Sequence, residues 1–381
     1  MKKYYLMAPG PTPVPEQVLL AMAQPMIHHR TPTYEALFGE VRAALKRLLG
    51  TPQETVVFAA SGTGAMEAAV VNTLSSGDRV IVIQAGKFGE RWVEICRSYS
   101  LEVIPLEAPY GHSVLPERLA DALKQTPRVK AVLCQHSETS TGVLHDIEGY
   151  AQVTRKSPAI LVVDAVSSLG VVELDMDAWG VDVVVAGSQK GLMLPPGLAF
   201  CTLSDKAWQL IKGSTLPKYY FNLAAELKAQ LKSQSNFTPA VSLIMGLRQA
   251  LAMLEAEGLP NVFRRHEQLA RATRAGVEEG LGLELFAKVR PSPAITAVVA
   301  PRGIDGEAVV RQYAKSHNIT IAGGQGEMKG MIFRLGHMGY VGEFDVIVAL
   351  SALEQVLAEL GHPVELGASI RSAQKALAEK S

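Results

Sequence analysis

Two apolar runs in this chain end on residues able to do chemistry. ILVV (160–163) leads directly into Asp164, and VVVAGSQ (183–189) leads directly into Lys190. In an open α/β sheet the carboxyl ends of the strands line the ligand crevice, so a carboxylate and an amine are brought to the mouth of one sheet. Either residue alone has an ordinary reading, an Asp capping a turn or a Lys held in water. As a pair they suggest more. Gly187, Ser188, Gln189 and Gly191 around Lys190 are small or neutral, and an amine short of water loses basicity and gains nucleophilicity.

A third element is Ser61-Gly62-Thr63-Gly64, which follows the run TVVFAA and opens a helical pattern. Glycines let backbone approach an anion, and the free N–H groups of a helix start, with the Thr63 hydroxyl, can bind phosphate. The segment fits neither the Walker pattern nor the dinucleotide fingerprint, and an ordinary capped turn also accounts for it. Arg334 lies inside the apolar run MIFRLG. A buried guanidinium needs an anion, either a structural ion pair or a carboxylate gripped by its planar fork. An anion seat, an amine and a carboxylate together suit a phosphorylated aldehyde cofactor, with the amine to form a Schiff base and the carboxylate to face a pyridinium nitrogen.

The elements that must position these groups alternate short β-branched runs with amphipathic segments. Strands are predicted at 55–60, 79–84, 101–106, 129–135, 159–165 and 181–187, several apolar on both faces, which makes a buried parallel sheet covered by helices. GAMEAAVVNTL, GERWVEICRSY and PERLADALKQT carry helical spacing between them. Beyond Pro239 two long helices break near Gly258-Leu259-Pro260, and a shorter βα region follows. The expected division is an N-terminal arm and large cofactor-binding domain over 1–255 and a smaller domain over 256–381.

Bulk properties narrow the classes. The 381 residues are 48% hydrophobic and 19% charged, with 37 basic against 37 acidic side chains. That balance gives no global field for nucleic acid or an anionic membrane, and 6% aromatic content offers no stacking surface for RNA. Neither nucleic acid nor membrane is expected as a partner. No run approaches the roughly 18 apolar residues of a membrane span, and MKKYYLMAPGPTPVP is not of signal-peptide type, so a cytoplasmic location is expected. Cys96, Cys134 and Cys201 read as reduced core residues. His28-His29, His136, His145 and His337 form no HExxH-type pair, and no metal is assigned.

The motifs APGPTPVP, ASGTGAMEA, HSETSTG, VDAVSSLG, AGSQKGLMLPPG and FRLGHMG run in order from residue 8 to 339. Together they resemble the class V aminotransferases, the alanine–glyoxylate and serine–glyoxylate enzymes in particular. The resemblance implies the type I fold of pyridoxal-phosphate enzymes, an α/β architecture with a large mostly parallel sheet domain, a smaller C-terminal α/β domain and a homodimer. It implies pyridoxal 5′-phosphate as cofactor, held by Lys190, with Asp164 keeping its ring nitrogen protonated. Ser61, Gly62 and Thr63 fall on the phosphate side, Gln189 and Thr139 on further cofactor contacts, and Val166 beneath the ring. Phe88, otherwise a core aromatic, falls where the family stacks a ring on the cofactor. Thr238 matches the residue reaching the neighbouring subunit's phosphate. Arg334 matches the substrate-carboxylate arginine, with Gly10 and Ser168 as lesser contacts. The eukaryotic alanine–glyoxylate enzymes carry a tyrosine and a histidine where this chain has Ser235 and Thr63, so those two contacts are not carried over.

The activity this implies is ping-pong transfer of an amino group from a small L-amino acid, alanine or serine, to a 2-oxo acid, glyoxylate foremost. Alternatives are an aminoethylphosphonate or ureidoglycine transaminase, a cysteine desulfurase-like lyase and a non-catalytic subunit of a complex. Against the lyase, Gln189 stands where a desulfurase places histidine, and no cysteine lies on a Gly/Ser-rich loop.

Overall fold

Seven strands form the central sheet of the computed structural model, which describes residues 2–379. They are β1 (Thr55–Ala60), β2 (Arg79–Gln84), β3 (Glu102–Glu107), β4 (Val129–Gln135), β5 (Ile160–Asp164), β6 (Val183–Gly187) and β7 (Gly197–Leu203), in the spatial order β1-β7-β6-β5-β4-β2-β3. Side chains alternate between faces along each strand. Ile81 and Ile83 accordingly join one buried cluster, and Val80 and Val82 the opposite one. Both faces are covered, which is why these strands carry so little polar sequence.

The six expected strands are present, with ends shifted by a residue or two at β3, β5 and β6. β7, not among the strands expected from sequence, pairs antiparallel with both β6 and β1. Residues 188–196 are too short a link for the crossover a parallel neighbour needs, so the chain turns straight back. The consequence is that β1, two steps from β6, again runs parallel to it. The carboxyl ends of β1, β2, β4, β5 and β6 therefore share one edge of the sheet.

The helices that matter for the site start at that edge. α1 (Gly62–Thr73) follows β1, and α2 (Lys87–Ser98) follows β2. Helix α2 buries Trp92, Val93 and Cys96 on one face, and the Trp92 indole donates to the Cys134 carbonyl of β4. Farther along, α3 (Val241–Glu257) and α4 (Leu259–Ala275) meet at Gly258, whose φ of 82° is a conformation open to glycine. Pro260 sits in the first turn of α4, where its missing N–H costs no hydrogen bond.

A second, antiparallel sheet holds β8 (Ile295–Val299), β9 (Ala322–Gly323) and β10 (Ile332–Gly336), with β10 central. Arg334 lies in β10 opposite Ala297 of β8 and Ala322 of β9. The N-terminal stretch ties the two sheets together. Tyr5–Leu6 pairs in parallel with Ile319–Thr320, Gly336 N donates to the Met7 carbonyl at 2.6 Å, and Thr12 N donates to the Gln189 carbonyl at 3.2 Å.

The core holds four buried histidines, His136, His145, His266 and His337. Burial pushes His145 down to about 4 and the other three to about 3. Below pH 6.5 the unfolded chain protonates them while the folded chain does not, so stability present above pH 6.5 is lost as pH falls toward those values. Three buried acids raised by desolvation, Asp164 to about 6, Glu138 to about 7 and Glu226, act in the opposite sense. The four histidines outweigh these acids between pH 5 and pH 7, so the folded state still loses stability as pH falls through that range. The urea midpoint of the cofactor-free protein is expected to drop clearly between pH 7 and pH 5; an unchanged midpoint would mean the histidines are not held neutral.

Candidate active site

Asp164 closes β5 with its carboxyl almost fully buried, 5% exposed. Its Oδ1 accepts the Val166 N–H at 2.8 Å. Burial raises its pKa to about 6, and this outweighs the opposing effects of the Val166 N–H, Arg91 and Lys190. Lys190, in the turn after β6, is held down to about 8 first by burial and then by the charge of Arg334. Its ammonium donates to the Pro9 carbonyl. Gly10, at φ 126°, leaves room for the Lys190 side chain where any Cβ would collide with it. An amine that is partly neutral near neutral pH can act both as nucleophile and as base.

These two residues share a cavity of about 190 Å³ with Ser61, Gly62, Thr63, Phe88, Val166 and Gln189, all expected from sequence. They come from four strand ends: Ser61, Gly62 and Thr63 follow β1, Phe88 follows β2, Asp164 and Val166 stand at the end of β5, and Gln189 and Lys190 follow β6. Ser61 precedes α1 in extended conformation and makes no side-chain capping bond, so the first N–H groups of α1 have no partner from that side chain. Gly62 is required by packing, because a Cβ there would run into Val166. Gln189 Oε1, on the cavity wall, is buried with no hydrogen-bond partner; Ser168 Oγ is likewise unpartnered, but Ser168 is fully buried and does not line the cavity. An unpartnered acceptor on a cavity wall is open to a donor from a ligand.

Thr139 and Arg334 form a second group beside this cavity. Arg334, 5% exposed, donates through Nη1 to the Thr139 carbonyl at 2.7 Å and through Nε to the Gly323 carbonyl at 2.9 Å. Burial lowers its pKa to about 10, while Glu138 and Glu307 pull the other way. It takes part in none of the ion pairs among the described residues. Two carbonyls orient the guanidinium without neutralising it, which leaves its charge for an anion.

Thr238 is placed apart. It lines a separate small cavity with Tyr34, Phe58, Gln230, Ser235 and Phe237, away from Lys190.

Several residues that line or support the cavity escaped the sequence reading. Arg91, Met66, Ser137 and Ser167 line it. Glu138, wholly buried, accepts the N–H groups of Phe88 at 3.1 Å and Gly89 at 3.2 Å and thereby fixes the start of α2. One signal was available for Arg91, which follows Phe88 by three positions on a helix and so shares its face. None was available for Glu138, whose bonds to the start of α2 span 49 and 50 residues of chain.

All three cysteines are free and buried. Burial pushes the Cys96 thiol up to about 12 and the Cys134 and Cys201 thiols higher still. None offers the exposed, acidic thiol that sulfur transfer requires.

The aminotransferase class-V family model matches residues 4–338. A soluble hydrogenase small subunit from Synechococcus sp. (strain PCC 6716) is 47% identical over 381 residues, covering 98% of each chain. A serine–glyoxylate aminotransferase from Hyphomicrobium methylovorum is 37% identical over 381 residues, covering 97% of this chain and 93% of the relative. Among solved structures, an alanine–glyoxylate aminotransferase from Nostoc sp. superposes with a TM-score of 0.89 at 33% identity, covering 94% of this chain and 96% of that one.

Proposed function

The chain belongs to the class-V aminotransferases, pyridoxal-phosphate-dependent transferases, and we propose that it transfers the amino group of L-alanine or L-serine to glyoxylate. The observation carrying this reading is the buried Lys190–Asp164 pair in one cavity, with the unneutralised Arg334 close enough for its charge to act on Lys190. The relatives acting on serine, alanine and glyoxylate support the choice of substrates.

The residues present fit the cofactor: Lys190 would hold it covalently, Asp164 would face its ring nitrogen, Val166 and Phe88 would flank the ring, and Ser61, Gly62 and Thr63 would take the phosphate. When bound, pyridoxal phosphate supplies an electron sink for the charge left as the substrate Cα loses its proton. Arg334 binds the substrate α-carboxylate in the fork its two carbonyl partners have already oriented. Lys190 Nζ takes the Cα proton and returns it elsewhere, which its lowered pKa of about 8 allows near neutral pH. Asp164, ionised opposite a cation, keeps the ring nitrogen's proton in place. The oxo product of the donor leaves before glyoxylate enters, so one set of groups serves both halves of the reaction.

Thr238 is assigned to the phosphate of a neighbouring subunit, making the working form a homodimer. Its distance from this chain's own cavity and the exposed Tyr219, 83% accessible and 5.8 Å from Phe237 ring to ring, support that role. The location is assigned to the cytoplasm; no helix among the described residues is long and apolar enough to cross a membrane.

Purified protein supplied with pyridoxal phosphate, glyoxylate and L-alanine or L-serine should form glycine. No glycine with any small donor would remove the assignment. The similarity to the Synechococcus subunit favours a second reading, a component of a hydrogenase assembly; hydrogenase activity copurifying with a chain that forms no glycine would support it instead. Arg334→Leu is expected to raise KM for both amino and oxo acids by roughly 10- to 100-fold, the loss of a charged hydrogen-bonded partner, with a smaller effect on kcat. Unchanged KM values would take the carboxylate away from Arg334.

A further inference from the structure

Arg91 has no part in the chemistry assigned above, yet it lines the same cavity as Lys190 and Asp164. It stands one helical turn beyond Phe88 on α2, with Cζ 4.8 Å from the centre of the Phe88 ring, so the ring face limits where the guanidinium can go. Nη1 donates to Thr63 Oγ1 at 3.2 Å. Neighbouring Glu90 is engaged by Lys87 and Tyr110, and none of the ion pairs among the described residues includes Arg91.

The direction of the Thr63 bond matters. Thr63 Oγ1 accepts from Arg91, which leaves its own O–H free to donate, and Thr63 is the second residue of α1, where backbone N–H groups lack intrahelical acceptors. A helix start supplies only about half a unit of positive charge, whereas a phosphate monoester carries roughly 1.5 to 2 negative charges near pH 7. A cation is needed to match it, and Arg334 is the one assigned above to the substrate carboxylate. Arg91 is the cation hydrogen-bonded to the first turn of α1.

We propose that Arg91 completes the phosphate seat and makes this chain select phosphorylated pyridoxal over unphosphorylated pyridoxal. The proposal rests on the cofactor assignment above. Arg91 thereby does two things: it orients the Thr63 hydroxyl and offers its remaining N–H donors to the phosphate.

The test is to measure dissociation constants for pyridoxal phosphate and for pyridoxal on the full-length wild type, Arg91→Gln and Arg91→Lys, with thermal melts confirming the fold of each. Arg91→Gln should weaken pyridoxal phosphate binding by at least roughly tenfold, the loss of a charge-assisted bond, while pyridoxal binding stays within about twofold. Arg91→Lys, keeping the charge but not the fork, should fall between and carries the same comparison if the Gln variant does not fold. Equal weakening of both ligands would reduce Arg91 to a structural residue, and unaltered pyridoxal phosphate binding would remove it from the seat. Failure of the wild type to bind pyridoxal phosphate would instead overturn the cofactor assignment itself.

Discussion

Lys190→Ala is expected to cut transamination by at least roughly 10⁴-fold, because the substitution removes both the nucleophile for the cofactor aldehyde and the base for the substrate Cα proton. The fold should survive. Lys190 makes no ion pair among the described residues, and its contact with the Pro9 carbonyl is the bond that is lost. The amine is also costly to bury, as its pKa of about 8 records, so its removal relieves desolvation as well as breaking a bond. Stability is expected to change by no more than about 1 kcal/mol. Steady-state glycine formation and a thermal melt, measured on one preparation, separate the two effects. Normal turnover in a folded Lys190→Ala protein would show that another group carries the chemistry.

Asp164→Asn should lower kcat/KM by roughly a hundredfold or more, in the range seen when one preorganised charge partner is deleted from an active site. The amide is nearly isosteric and can still accept the Val166 N–H through its oxygen, so geometry is preserved while the charge opposite the ring nitrogen is lost. Stability should move the other way. Asp164 is raised to about 6 in the folded chain against an ordinary carboxyl value of 3.8. Stability from that raised pKa is fully present at acid pH and is lost as pH rises through about 6. The cofactor-free Asn variant, which cannot ionise, should therefore match the wild type near pH 4 and exceed it near pH 8, by up to about 3 kcal/mol. Function would be held at the expense of stability, as buried catalytic groups often require. Unaltered kcat/KM, or a variant less stable at pH 8 than at pH 4 relative to wild type, would contradict the role given to this carboxyl.

Much of this was legible because strand-end chemistry is local. An apolar run that stops on Asp164 or leads through small residues to Lys190 states both where the side chain lies and why its pKa moves. The Ser61-Gly62-Thr63 turn was legible for the same reason, since a strand, a turn and a helix start are contiguous. What stayed hidden depends on distant partners. β7 is an apolar run like its neighbours, and only the short link from Gly187 makes it antiparallel. Glu138 reads as one polar residue among HSETSTG, yet it fixes the start of α2 and so the place of Phe88 and Arg91. Arg334 could be read as a buried cation, but its two carbonyl partners come from residues 139 and 323.

The central claim is that this one cavity holds pyridoxal phosphate on Lys190 and exchanges amino groups there. The visible absorption spectrum of the purified protein, supplied with pyridoxal phosphate and then treated with L-alanine and afterwards glyoxylate, tests it most directly. A yellow band that is absent from Lys190→Ala, bleaches with the amino donor and returns with glyoxylate is the expected result. A wild-type protein that develops no such band, or whose band ignores both substrates, would contradict the claim.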